Sequence, residues 1–175
     1  MKNNIKTKTR NIVLTAVFAA FICISIVFLP RIPTGFNEGY IHLGDIVIYL
    51  AATFLPLPYG MAAAAIGGGL ADIMAGAVVW TLPTIIIKAA MAIFFTSKEA
   101  KILNKRNKRA VIIAGLTGWI GYYFAGAIIS GNFAAPLVTL PIEALQPIGS
   151  GVIFVFIAHY LDKINIKEKV FDEYK

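Results

Sequence analysis

Apolar residues dominate this chain in runs that polar clusters interrupt, and the lengths of those runs predict the elements. A helix that crosses a bilayer needs about 20 mostly apolar residues. Ile12 to Leu29 meets that requirement and stops at Pro30. Leu43 to Leu55 is short alone, but Tyr40 to Pro58 reaches the length. Tyr59 to Val79 is apolar and rich in glycine and alanine, and Leu82 to Thr96 is short and interrupted by Lys88. Ala110 to Ser130 is unbroken, while Leu137 to Leu161 is long, with Pro141 and Pro147 predicted to bend it or delay its start. The pattern predicts an all-α integral membrane protein, a compact bundle of six transmembrane helices. Its membrane domain covers residues 12–161, between tails at 1–11 and 162–175, with a basic linker at 97–109.

Composition narrows the class further. Of the 175 residues, 58% are apolar and 14% charged, whereas a soluble domain has about a quarter charged. Mean hydropathy is +0.76, more apolar surface than a soluble fold of this size buries. A soluble enzyme and a disordered regulator are excluded. The net charge of +7 does not signal nucleic acid, because the basic residues cluster between apolar runs rather than along one face. The tail carries Lys2, Lys6, Lys8 and Arg10. The linker carries Lys98, Lys101, Lys105, Arg106, Lys108 and Arg109 against Glu99 alone. Positive clusters mark the cytoplasmic side, so both termini and the linker are expected inside. The outer loops, around 30–42, 76–81 and 131–136, hold only Arg31 and Glu38 as full charges. In the last tail, Asp162, Glu168, Asp172 and Glu173 balance the basic residues. The first apolar run is long for a signal peptide and lacks a cleavage pattern, so it reads as a retained helix. No internal repeat is visible.

Ionisable residues within apolar helices are costly and usually face a cavity or a partner. Here they are His42, Asp45, Asp72, Lys88 and Glu143, and all fall in the outer half of their spans. At a rise of about 1.5 Å per residue, Asp72 lies roughly 6 Å deep and Lys88 about 9 Å. Helical spacing groups His42, Asp45 and Tyr49 on one face, Thr81, Thr84 and Lys88 on another, and Glu143, Gln146 and Ser150 on a third. The fifth helix adds Trp119, Tyr122, Tyr123 and Gly126, and Trp80 stands at a loop edge. These faces predict a polar pocket open to the outside, with aromatics able to stack on a flat ring. Structural explanations stand beside this one. Asp72 and Lys88 could form a buried ion pair, His42 and Asp45 an interfacial cap, Trp80 and Trp119 bilayer anchors, and the tyrosines packing. Three carboxylates against one lysine favour a ligand rich in donors over an anionic one.

Absent motifs matter as well. No phosphate-binding loop, H-E-x-x-H or G-x-S-x-G occurs, and His159 stands apart near the other end of the last helix. Cys23 is the sole cysteine. No cofactor, metal site or catalytic constellation is therefore expected, and Gly67-Gly68-Gly69 reads as close helix packing. The bundle lacks the inverted halves of many autonomous carriers, so transport would need a partner. On the first helix Ala16 and Ala20, with Ala19 beside them, offer a smooth strip where another helix can approach, either within the bundle or from outside.

Gly39 to Ala52 reads G-Y-I-H-L-G-D-I-V-I-Y-L-A-A, Gly67 to Asp72 reads G-G-G-L-A-D, and Thr81 to Lys88 reads T-L-P-T-I-I-I-K. These stretches resemble the substrate-binding S components of energy-coupling factor (ECF) vitamin transporters, over roughly residues 10–162 and most strongly over 39–92. The pattern is similar to the branch that transports riboflavin, hydroxymethylpyrimidine and pyridoxine. The resemblance implies capture of a vitamin outside the cell and delivery with an ECF transmembrane subunit and two ATPase subunits. It also implies docking of that subunit on Ala16 and Ala20. The pocket chemistry ranks hydroxymethylpyrimidine or pyridoxine ahead of riboflavin. An autonomous small membrane transporter and a scaffold resembling a rod-shape-determining protein are the alternatives.

Overall fold

The computed structural model describes residues 2–33 and 40–171, with side chains from Ile5 onward. Glu38, Gly39, Asp172 and Glu173 lie outside the described residues. The chain runs α1 (Lys2–Val27), a short hairpin of β1 (Ile32–Pro33) and β2 (Tyr40–Ile41), α2 (Gly44–Phe54), α3 (Leu57–Met74) and α4 (Thr81–Ala92). It continues through α5 (Lys105–Ser130), α6 (Leu140–Glu143), α7 (Leu145–Lys163) and α8 (Ile166–Val170). The hairpin is antiparallel, with Ile32 opposite Ile41 and Pro33 opposite Tyr40.

The helices follow the order of the apolar runs, with three differences. The basic tail is not separate from the first helix, because α1 already begins at Lys2. Tyr40 and Ile41 belong to the hairpin rather than to a long second helix, so α2 has only 11 residues. The last run divides, as its prolines predict: Pro141 opens the one-turn α6, and α7 starts after it with Pro147 in its first turn. Among the described residues, three helices are long and apolar enough to cross a membrane, within Ile5–Val27, Lys105–Ser130 and Leu140–Lys163, while Gly44–Phe54 and Val78–Ala92 are shorter apolar helices. Many large apolar side chains on the helix exteriors face outward, among them Phe21, Ile86, Ile112, Val152 and Phe156. Such a surface is untenable in water and natural in lipid.

Sequence chemistry fixes the helix ends. Asn104 caps α5 by accepting from the Asn107 N–H at 2.9 Å, and Gly131 ends that helix at φ 64, a left-handed conformation that glycine adopts without strain. The glycine run of α3 sits where α1 and α4 come closest. A Cβ on Gly67 would lie 2.6 Å from the Ala19 carbonyl oxygen, and one on Gly68 would lie 2.9 Å from Thr84 Cγ2. Deeper in the bundle Tyr49 stacks on Phe95 at 5.0 Å between centroids and meets Phe154 edge-on at 5.6 Å.

Polar bonds tie one end of the bundle together. Asn107 accepts from the Thr96 N–H and donates to the carbonyls of Thr96 and Ile102. Asp162 accepts from the Ile102 and Leu103 amides at 2.6 and 2.9 Å. Buried Lys167 of α8 donates to the carbonyls of Ser97 at 2.7 Å and Glu99 at 2.5 Å. Phe171 packs on Phe54 beneath the Arg10 guanidinium.

Gly67→Ala forces a methyl against backbone and is expected to lower stability by about 1–3 kcal/mol. Gly149, in the first half of α7, has open space where its Cβ would be, so Gly149→Ala should leave stability unchanged or raised. Thermal unfolding of the two variants in detergent measures both effects, and equal destabilisation would contradict the packing described.

Candidate functional site

At the opposite end from the Asn107 and Lys167 bonds lies a cavity of about 850 Å³, counting the space at its open mouth. The hairpin and the residue after it supply Tyr40 and His42, the start of α2 Asp45, the end of α3 Asp72, the approach to α4 Trp80, and the first turn of α4 Thr84. One face of α5 contributes Gly115, Gly118, Trp119, Tyr122 and Gly126, and the α6–α7 junction contributes Glu143, Gln146 and Pro147.

The buried heart of this region is an ion pair. Lys88 Nζ donates to Asp45 Oδ1 at 2.5 Å, with side chains 1% and 3% exposed. Gln146 Nε2 donates to the other oxygen, Oδ2, at 2.9 Å. The Gln146 side-chain carbonyl in turn accepts the His42 backbone N–H at 3.0 Å. Both oxygens of Asp45 are therefore engaged, and four segments (hairpin, α2, α4 and α7) meet at one carboxylate. Lys88 Nζ also lies 5.0 Å from the Tyr122 ring centroid, a favourable cation–π placement.

The other carboxylates differ. Asp72 Oδ1 accepts from Tyr40 Oη at 3.3 Å, but its buried Oδ2 has no partner among the described residues. Glu143 accepts from Thr139 at 2.8 Å. Tyr122 donates to Thr84 at 3.1 Å, and its ring stands 6.0 Å from that of Trp80. Trp119 donates to the Leu140 carbonyl at 2.9 Å, so its ring orientation is fixed. Arg31 lies over Tyr40, 5.0 Å from the ring centroid. The wall thus combines oriented aromatic rings with carboxylate acceptors, and the Lys88 ammonium buried behind it is already paired to Asp45.

Of the residues expected from sequence, His42, Asp45, Asp72, Trp80, Thr84, Trp119, Tyr122, Glu143 and Gln146 all line this cavity. Three do not. Lys88 lies behind the wall, and its partner is Asp45 rather than Asp72. Tyr49 is fully buried below the floor. Tyr123 turns away and donates to the Phe133 carbonyl at 3.0 Å. The proposed capping role falls to His42, whose Nδ1 accepts the Gly44 N–H at 3.0 Å. Residues that line the cavity without having been expected include Tyr40, Gly115, Gly118 and Pro147. The spacing of Gly115, Gly118, Trp119, Tyr122 and Gly126 is one continuous helical face, a signal that would have found the glycines. On α1, Ala16 and Ala20 are exposed while Ala19 is buried at 4%.

Residues 6–163 match the sequence profile of the family described as ECF-type riboflavin transporter, S component. The chain belongs to that family. This S component is also similar to an uncharacterized protein from the gap 3' region of Pyrococcus woesei, 28% identical over 109 residues, covering 59% of this chain and 70% of that protein. The family is one of transporter subunits for vitamin uptake, and the apolar exterior of this S component is that of a membrane protein.

Removing one partner of a buried ion pair leaves an uncompensated charge, at a cost of about 3–5 kcal/mol. Lys88→Met is expected to destabilise this S component by that amount, and adding Asp45→Asn should recover much of it. Chemical unfolding of the single and double variants provides the comparison. A double variant no better than Lys88→Met would mean that the pair is not mutually compensating.

Proposed function

We propose that this S component captures a flat heteroaromatic vitamin bearing N–H or O–H donors and delivers it inward with an ATPase-driven partner. The observation that carries this reading is the buried Asp72 Oδ2, which no described residue meets with a donor at hydrogen-bond distance, in a wall that also holds Trp80, Trp119 and Tyr122. A buried carboxylate oxygen without a donor is costly, and a ligand N–H or O–H relieves that cost while the rings cover the faces of the heterocycle. With Lys88 committed to Asp45, an anionic ligand has no buried cation to meet. Hydroxymethylpyrimidine, pyridoxine and riboflavin, the vitamin in the family's description, all have this chemistry.

The bundle crosses a bacterial cytoplasmic membrane six times, with both termini inside and the cavity open outside, in agreement with the positive clusters at its tail and linker. The partner is an ECF transmembrane subunit carrying two ATPases, which docks on Ala16 and Ala20. The exposure of these two alanines on a helix whose Ala19 is buried supports an external partner for that strip.

Calorimetry of the detergent-purified protein against riboflavin, hydroxymethylpyrimidine, pyridoxine and riboflavin 5'-phosphate tests the ligand class. At least one neutral vitamin should bind, and the phosphate ester should not. Asp72→Asn and Glu143→Gln should each weaken binding about tenfold or more while the protein still expresses. Normal binding by both variants would remove the pocket from this reading. Ala16→Trp and Ala20→Trp should retain binding but abolish uptake in cells carrying the partner subunits. Lost binding would show instead that the strip is internal packing.

A further inference from the structure

Two polar stripes that reach the cavity continue below it. On α2 the residue one turn beyond Asp45 is Tyr49, and on α7 the residue one turn beyond Gln146 is Ser150. Both are fully buried. Neither hydroxyl has a hydrogen-bond partner among the described residues. A buried hydroxyl left unpaired costs about 1–3 kcal/mol, so two of them, each one turn beyond a cavity-lining residue, need an explanation. Packing supplies part of it for Tyr49, whose ring sits between Phe95 and Phe154, but a phenylalanine would serve that purpose better.

The cavity floor above them is thin. Gly115 and Pro147 both line the cavity, and a Cβ on Gly115 would lie 3.0 Å from Pro147 Cβ and 3.8 Å from Tyr49 Oη. The tyrosine hydroxyl therefore stands directly behind a stretch of wall with no side chain. The other half of that wall is Pro147, in the first turn of α7 just past the interruption at Ala144 between α6 and α7.

We propose that the floor yields between Gly115 and Pro147 to admit a short, neutral, hydroxyl-bearing arm of the vitamin, and that Tyr49 and Ser150 are its specificity-determining partners. This rests on the ligand reading given under the proposed function and adds the chemistry of one end of the ligand. The subsite takes an alcohol and rejects its phosphate ester. The nearest formal charge on the α2 stripe is the carboxylate of Asp45, and the buried ammonium is already paired to it. A phosphate would meet two neutral hydroxyls and an anion, without the cation its burial requires.

The test is calorimetry on the full-length protein in detergent with two matched pairs of probes. Riboflavin is paired with lumiflavin, the same isoalloxazine ring with a methyl in place of the polyol arm, and hydroxymethylpyrimidine with 4-amino-2,5-dimethylpyrimidine, which has a methyl in place of the hydroxymethyl arm. The wild type should bind the hydroxylated member of at least one pair more tightly. Tyr49→Phe should lower affinity for that member about tenfold and leave the arm-free member unchanged. Ser150→Ala should act in the same direction, and Gly115→Ala, which narrows the passage by a methyl, should reproduce the selective loss. Equal losses for both members would make these residues structural and overturn the proposal. Unchanged affinity in Tyr49→Phe and Ser150→Ala would overturn it as well, and would assign the hydroxyls to a trapped water. In either case the ligand reading itself survives. If the wild type binds none of the four probes, that reading fails and the subsite falls with it.

Discussion

One carboxylate organises the ligand end of this protein. Asp45 receives Lys88 from α4 and Gln146 from α7, and Gln146 then fixes the hairpin through the His42 amide. A buried ion pair contributes little net stability against well-packed apolar residues, but once it is present, breaking it is expensive. Its consequence here is placement. Segments far apart in sequence are held to one point, and any disturbance of α2, α4 or α7 must disturb a desolvated charge. The pair also leaves the cavity with Asp72 and Glu143 as its open acceptors, so the electrostatic character of the site follows from which carboxylate the lysine chose.

The two ends of the bundle are built on different terms. At Gly67 helix α3 meets the backbone of α1, and at Gly68 it receives the Thr84 and Lys88 side chains of α4, the close approach that small residues allow. The Asn107, Asp162 and Lys167 bonds likewise fasten α5, α7 and α8 to the segment after α4. At the cavity the elements are a short hairpin, a one-turn helix and a proline-bearing junction. Close helix packing and the Asp45 pair reach the cavity wall at Thr84 and Gln146, while the rest of that wall is carried by short elements, the parts freest to adapt to a ligand.

Much of this arrangement was legible from spacing alone. The i, i+3, i+7 stripes placed Asp45, Gln146 and Thr84 toward a common interior, and the cost of intramembrane charge singled out Asp72 and Glu143. What spacing could not supply was pairing. A helical face shows which direction a side chain points, but not whether Lys88 meets Asp72 one helix away or Asp45 across the bundle. Nor does it give the depth at which a stripe stops lining the cavity, which is why Tyr49 fell below the floor. Tyr123 illustrates a different limit: adjacent to Tyr122, it lies about 100° around the helix and reaches Phe133 instead. The hairpin at Tyr40 was hidden because its apolar residues extend the α2 run without a break in hydropathy.

The shortness of α2 carries a consequence for its surroundings. Its 11 residues rise only about 16 Å, roughly half the thickness of a hydrocarbon core. A helix that stopped so short in lipid would leave the polar groups of its ends bare. None of the α2 residues is exposed, so this helix is a plug enclosed by its neighbours rather than a strut against the bilayer. Protein, not lipid, meets its first turn, where His42 Nδ1 accepts the Gly44 N–H. The height that α2 does not fill is the room in which the cavity stands.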